Sequence, residues 1–149
     1  MTGTPLLDVN VLIALFNEQH VHHEAAHDWF ADHEGQSWAT CPLVENAFLR
    51  ILSDPSLRPS LIPLATLADH LSRFCRAGRH EFWPDAVWMH DDSLFDLSLV
   101  RGHRQLTDVY LLGLAVRHGG RLVTFDQSIP IASVRGATRA SLEVIALAG

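Results

Sequence analysis

Lysine is absent: every one of the 11 positive side chains in this 149-residue chain is an arginine. That absence removes Schiff-base chemistry, a phosphate-loop lysine and a lysine general base together. It leaves arginines, whose planar forks suit bidentate phosphate contacts. Cysteine is scarce too. Cys41 and Cys75 are too few for a disulfide framework and lack zinc-motif spacing, so they read as buried thiols. No apolar run approaches the ~18–20 residues that span a bilayer. The opening Met1-Thr2-Gly3-Thr4 carries no basic stretch of the kind that starts a signal peptide. These absences make a reduced, cytoplasmic protein with no membrane partner the expectation.

What is present is core. Hydrophobic residues make up 48% of the chain and charged residues 19%, which supports packing and argues against disorder. The length suits a single domain over 1–149, since two independent cores would be cramped. The net charge of −6 argues against broad, non-specific nucleic-acid binding, which goes with a basic balance. Acids gathered at one metal site would account for part of that excess.

The hydrophobic pattern alternates between short apolar runs and helical periods. Residues 5–9 read as a buried strand, with a helix starting just past Asp8 and continuing through 11–16. Residues 23–33 have helical spacing, and 37–41 read as a second strand. Pro42 fits the first turn of a helix, where its missing N–H costs nothing. That helix would bury Leu43, Val44, Ala47, Phe48 and Ile51 and end near Asp54-Pro55. Pro55, Pro59 and Pro63 interrupt the chain before a helix over 64–75, closed by Gly78. A third strand is expected at 81–83, and 84–102 reads as loop with a short helix. Thr107 is placed to cap a helix over 108–117 that His118-Gly119-Gly120 ends. A buried strand at 121–125 follows, then a last one at 142–147. Strands alternating with helices in this way indicate a mainly parallel sheet covered on both faces.

Two acids follow strands, Asp8 and Asp126, and the carboxyl ends of parallel strands border the ligand crevice of such folds. Two more, Glu45 and Asp108, sit in first turns of helices that begin at that same edge. Alone, each has an ordinary reading as a cap, a first-turn acid or a turn former. Together they form a cluster whose unit charges would repel by roughly 4 kcal/mol per pair at ~4 Å and an effective dielectric near 20. A divalent cation or protonation must relieve that repulsion, and an oxygen-only donor set favours Mg²⁺ or Mn²⁺.

Four segments then carry a specific resemblance. Leu6-Leu7-Asp8-Val9-Asn10-Val11-Leu12-Ile13-Ala14-Leu15 is similar to the opening motif of PIN-domain nucleases, and closely to that of VapC-type toxins of bacterial toxin–antitoxin systems. Cys41-Pro42-Leu43-Val44-Glu45-Asn46-Ala47-Phe48-Leu49-Arg50-Ile51-Leu52 resembles the second motif. His103-Arg104-Gln105-Leu106-Thr107-Asp108-Val109-Tyr110-Leu111-Leu112 resembles the third, and Gly119-Gly120-Arg121-Leu122-Val123-Thr124-Phe125-Asp126 the fourth. The resemblance implies a PIN-like three-layer α/β/α sandwich and a Mg²⁺-dependent endoribonuclease, with Mn²⁺ as a substitute. It implies a type II toxin that cleaves cellular RNA, is neutralised by a cognate antitoxin and forms a homodimer. Carried over by position, Asp8 and Asp108 are direct metal ligands. Glu45 and Asp126 complete the catalytic set and orient the attacking water, with Asn10, Thr107 and Thr124 as supporting hydrogen-bonding groups.

Other features fit less specific roles. His23 and His27 share a helical face but lack a third zinc ligand at matching spacing. Trp29 and Trp38 sit in apolar patterns and read as core, whereas Trp83 and Trp88 fit core or base stacking equally. Arg50 and Arg104 lie near acidic motifs and fit either phosphate contact or surface charge. Haloacid-dehalogenase-like phosphatases want a second Asp where this chain has Asn10, and response-regulator receivers want a lysine. Both therefore fit poorly.

Overall fold

The structure, a computed structural model, describes residues 3–56 and 62–147; Met1, Thr2 and Pro59, named above, lie outside the described residues. Among the described residues, five strands form one sheet: β1 (Pro5–Leu7), β2 (Trp38–Thr40), β3 (His80–Phe82), β4 (Arg121–Thr124) and β5 (Leu142–Val144). Their order is β3-β2-β1-β4-β5 and every pairing is parallel. The three inner strands are buried along their whole length, as a sheet covered on both faces requires. The two edge strands are partly or largely exposed.

Among the described residues there are five α-helices: α1 (Val9–Phe16), α2 (His23–Asp32), α3 (Pro42–Leu52), α4 (Leu64–Arg76) and α5 (Leu106–Arg117). From β1 the chain steps outward to β2 and β3, then returns through α5 to β4 on the other side of β1. Right-handed crossovers place α1 to α4 on one face and α5 on the other. The result is a three-layer α/β/α arrangement. Strand order reverses between β1 and β4, where the ends of neighbouring strands open a crevice.

Local sequence sets the helix ends. Cys41 precedes α3 and Pro42 opens it. Its buried stripe is Val44, Phe48 and Leu52; Leu43, Ala47 and Ile51 are only half-buried, because the single row at intervals of four meets the core. The start of α5 differs from the Thr107 cap read from sequence. A 3₁₀ turn over His103–Gln105 runs directly into Leu106, so Gln105 occupies the cap position without a side-chain bond and exposed Thr107 lies inside the helix. Asp108 keeps its place in the first turn. At the other end Gly119 adopts a φ of 69°, which a side chain would oppose. Its N–H donates to Val116 O at 3.0 Å and the Gly120 N–H to Ala115 O at 2.8 Å, which satisfies the last carbonyls and turns the chain into β4.

The strands are shorter than their apolar runs suggest, and β3 lies one residue earlier, at 80–82 rather than 81–83. Trp29, Trp38 and Trp83 are buried; Trp88 is exposed. No described helix is long and apolar enough to cross a membrane.

Gly113, in the middle of α5, packs against the buried ring of Phe95. A Cβ there would stand 2.3 Å from two ring carbons. Replacing Gly by Ala inside a helix ordinarily stabilises by about 0.5–1 kcal/mol, but forcing a methyl into a filled core costs about 1–3 kcal/mol. The second effect wins. Gly113→Ala is expected to lower the thermal midpoint by roughly 2–6 °C; an unchanged or raised midpoint would show that Phe95 yields freely.

Candidate active site

Asp8 stands at the crevice. Its N–H donates to Val123 O at 2.9 Å and so extends the β1–β4 ladder by one residue. It then caps α1, with Oδ1 accepting from the Val9 N–H at 2.7 Å. Oδ2 accepts from the Thr124 hydroxyl at 2.7 Å. The residue is 2% exposed.

Thr124, which ends β4, is the hub of this network. Its one hydroxyl proton goes to Asp8, and its oxygen accepts from Asn10 Nδ2 at 3.2 Å and from the Asp126 N–H at 3.0 Å. Asn10 Oδ1 in turn accepts from the Phe125 N–H at 3.3 Å. A fully buried hydroxyl thus has its proton and its lone pairs satisfied. Asn10 and Thr124, expected to supply hydrogen bonds, both make them here. No such bond from Thr107 occurs among the described residues.

Asp126 follows β4 and makes a tight turn, its Oδ1 accepting from the N–H and the hydroxyl of Ser128 at 2.8 and 2.7 Å. These bonds, with one from Asp108, hold its carboxyl below the usual range. Asp108 is pushed the other way. Burial first, then the Asp8 charge and the hydrogen bond and charge of Asp126, raise it from an ordinary 3.8 to about 7. A proton between the two therefore rests on Asp108, as expected for neighbouring acids in unequal settings. Burial also raises Asp8, against the opposing bonds from Thr124 and Val9 and with a smaller push from Asp126. None of the three Asp is ion-paired among the described residues.

The structure brings Asp8, Asp108 and Asp126 together, while the Glu45 carboxylate rests against Thr40 at the neighbouring strand end. In the pairing, Leu6 aligns with Ala39 and Leu122, so Asp8 and Thr124 share one face and Thr40 leaves on the other. The Glu45 carboxylate accepts from the Thr40 hydroxyl at 2.6 Å on that second face. There it lines a cavity of about 340 Å³ between α3 and α4, with Ser72, Cys75, Arg76 and His80. Sequence reading missed Thr40 and His80. A Thr ends β2 as Thr124 ends β4, a repetition that could have flagged it; nothing flagged His80.

Among the described residues, no three carboxylate, imidazole or thiol groups close on a common point as a finished metal cage. The donor set still fits Mg²⁺, which keeps several waters and is held by one or two carboxylates. Three neighbouring carboxyl groups that offer only oxygen donors, one of them raised to about 7, suit such an ion. The histidines serve elsewhere: His23 Nδ1 bonds Ala14 O at 2.6 Å, and His22 packs on Phe125 with ring centres 4.8 Å apart. Burial pushes the thiols of Cys41 and Cys75 up to about 12 and about 11, which rules out thiolate nucleophiles near neutral pH. Arg104 is exposed on the turn just before α5, and Gln105 Nε2 ties that turn to Ser128 O at 3.2 Å. Arg50 lies eight residues into α3, about 12 Å along its axis from the crevice edge.

The raised Asp108 value fixes a sign. Between its ordinary 3.8 and about 7, the folded protein holds a proton that the unfolded chain releases. Through this group, stability falls as pH rises across that window and levels off above it. Without divalent metal, Asp108→Asn is expected to stabilise the protein, by more at pH 7.5 than at pH 5. Thermal melts in chelator at the two pH values test this; an equal or opposite change would show that the fold does not raise Asp108.

The PIN domain matches residues 6–134 of the chain. Three ribonucleases of Mycobacterium tuberculosis are similar to it. VapC44 is 44% identical over 140 residues, covering 94% of this chain and 98% of that protein. VapC39 is 46% identical over 127 residues, covering 85% and 91%. VapC38 is 44% identical over 124 residues, covering 83% and 86%. With the parallel sheet and the aspartates at its point of reversal already in place, these matches settle kinship: the chain belongs to the PIN-domain family, in its VapC branch.

Proposed function

We propose that the chain is a metal-dependent endoribonuclease and the toxin of a type II toxin–antitoxin pair. The observation that carries this reading is the meeting of Asp8, Asp108 and Asp126 at one crevice, with Asp108 raised to about 7 by burial and then by its acidic neighbours. The names of the relatives, all ribonucleases, supply the substrate class.

Asp8 and Asp108 would hold Mg²⁺, or Mn²⁺ in its place, with Asp126 beside them. When bound, the ion offsets the crowded charge, lowers the pKa of water and neutralises charge that develops on the phosphate. The protein's own groups do the rest. Thr124 and Val9 fix both oxygens of Asp8, so that its geometry is set before RNA arrives. Ser128 fixes one oxygen of Asp126. Asp108, raised to about 7 by burial and its neighbours, would face the ion as a carboxylate once deprotonated. Glu45 completes the catalytic set from the neighbouring strand end and orients the attacking water. Exposed Arg104, beside the start of α5, contacts RNA phosphate.

The acidic balance suits a selective enzyme better than a coating protein, because each phosphate that enters meets carboxylates unless a cation intervenes. A cognate antitoxin that covers this pocket would silence it. Two copies form the working homodimer, in the cytoplasm.

The test uses purified protein and total RNA. Cleavage is expected with Mg²⁺, to stop with a chelator, and to drop at least ~100-fold in Asp8→Asn, the scale of losing a positioned charge in the transition state. Equal RNA decay in all three would contradict the proposal. Saturating Mg²⁺ should also raise the thermal midpoint of the wild type and leave Asp8→Asn nearly unmoved, since only a binding site in the native state stabilises by mass action.

A further inference from the structure

On the second face of the sheet, one hydroxyl serves two partners. Thr40 Oγ1 lies 2.6 Å from Glu45 Oε2 and 2.7 Å from His80 Nε2, and Thr40 is fully buried. A threonine has a single proton to give, and a carboxylate only accepts. The Thr40 proton therefore points to Glu45, and the oxygen lone pair faces His80, whose Nε2 must carry hydrogen. The imidazole is itself fixed. Trp38 pairs with His80 in register, and the two rings stand 4.8 Å apart. Side-chain alternation along β2 puts Trp38 and Thr40 on one face, so the His80 ring reaches the hydroxyl diagonally across two strands.

The same device holds Asp8 on the opposite face. There Thr124 ends its strand, gives its proton to the acid and accepts from a side-chain N–H, that of Asn10. Each strand that flanks β1 thus ends in a threonine whose proton is aimed at an acid by a donor behind it. The first instance was visible from the motif. The second was not.

We propose that His80 is a positioning residue of the active site: by donating Nε2–H to Thr40 it fixes the direction of the Thr40 hydroxyl and so holds the Glu45 carboxylate at the sheet edge. This rests on the nuclease reading above, with Glu45 as one of its catalytic acids. His80 never touches RNA in this role. Removing it lets the Thr40 proton rotate and the carboxylate swing into the adjoining cavity.

The test is a mutant cycle in RNA cleavage, with one spectroscopic readout. Glu45→Gln should lower kcat about 100-fold, the scale of a lost acid–base group. His80→Phe and Thr40→Val should each lower kcat about 10-fold at unchanged KM, the scale of losing a group that orients another. In the Glu45→Gln background the same changes should cost less than about 2-fold, because nothing remains to position. His80→Gln, which keeps an N–H near Nε2, and Thr40→Ser, which keeps the hydroxyl, should restore most of the rate. In the wild type, ¹⁵N shifts should show His80 protonated at Nε2 alone at neutral pH, and Thr40→Val should move them. Losses that multiply in the Glu45→Gln background, failure of both conservative variants, or an Nδ1–H tautomer would overturn the role of His80 while leaving the nuclease standing. A wild type that leaves RNA intact would remove the nuclease reading and this role with it.

Discussion

The burial of like-charged acids at the point where the sheet reverses is the constraint that organises this molecule. Asp8 is nearly inaccessible to water and faces Asp108 and Asp126, with no cation from the protein paired to any of the three among the described residues. The fold tolerates the cost because two of the acids are tied to neutral donors. Thr124 and Val9 hold Asp8, and Ser128 holds Asp126. Burial raises Asp108 most and no such tie offsets it among the described residues, so the excess proton settles there. A site that stores unfavourable charge in this way gains on binding a divalent ion what an already neutral site would not.

Topology makes the crowding unavoidable. Parallel strands all end at the same edge, and a reversal of strand order leaves the ends of β1 and β4 without a crossover between them. Any acid placed just after either strand meets the other. The helix that begins at the same edge on the far face, α5, adds a third in its first turn. Cores on both sides of the inner strands keep this edge rigid. Leu6, Leu7, Leu122 and Val123 are all fully buried, so the backbone that carries Asp8 and Thr124 has little freedom to relax the repulsion.

Much of this could be read from the residues. The apolar runs ending at Asp8 and Asp126, Pro42 at a helix start and the glycine pair after α5 each placed an element within a residue or two. They did so because burial and backbone geometry act locally on those residues. What escaped was what depends on distant partners. Thr107 looked like a cap because capping chemistry is local, yet a preceding 3₁₀ turn had already begun the helix. Ile51 looked like core because it is apolar, yet the row chosen by packing ran through Leu52. The facing of Glu45 follows from strand register, which one sequence does not print, and His80 gained meaning only when β3 fell beside β2. The approach of Asp8, Asp108 and Asp126 was legible; the chain from His80 through Thr40 to Glu45 was not.

The account stands on one ion bridging acids from β1, β4 and α5. Crystals grown with Mn²⁺ and measured at its absorption edge test that directly. The account predicts an anomalous peak within about 2–2.5 Å of carboxylate oxygens of Asp8 and Asp108 and on the Asp126 side of the crevice. A peak only at the histidines near α2, or none at the crevice with the ion in excess, would contradict it.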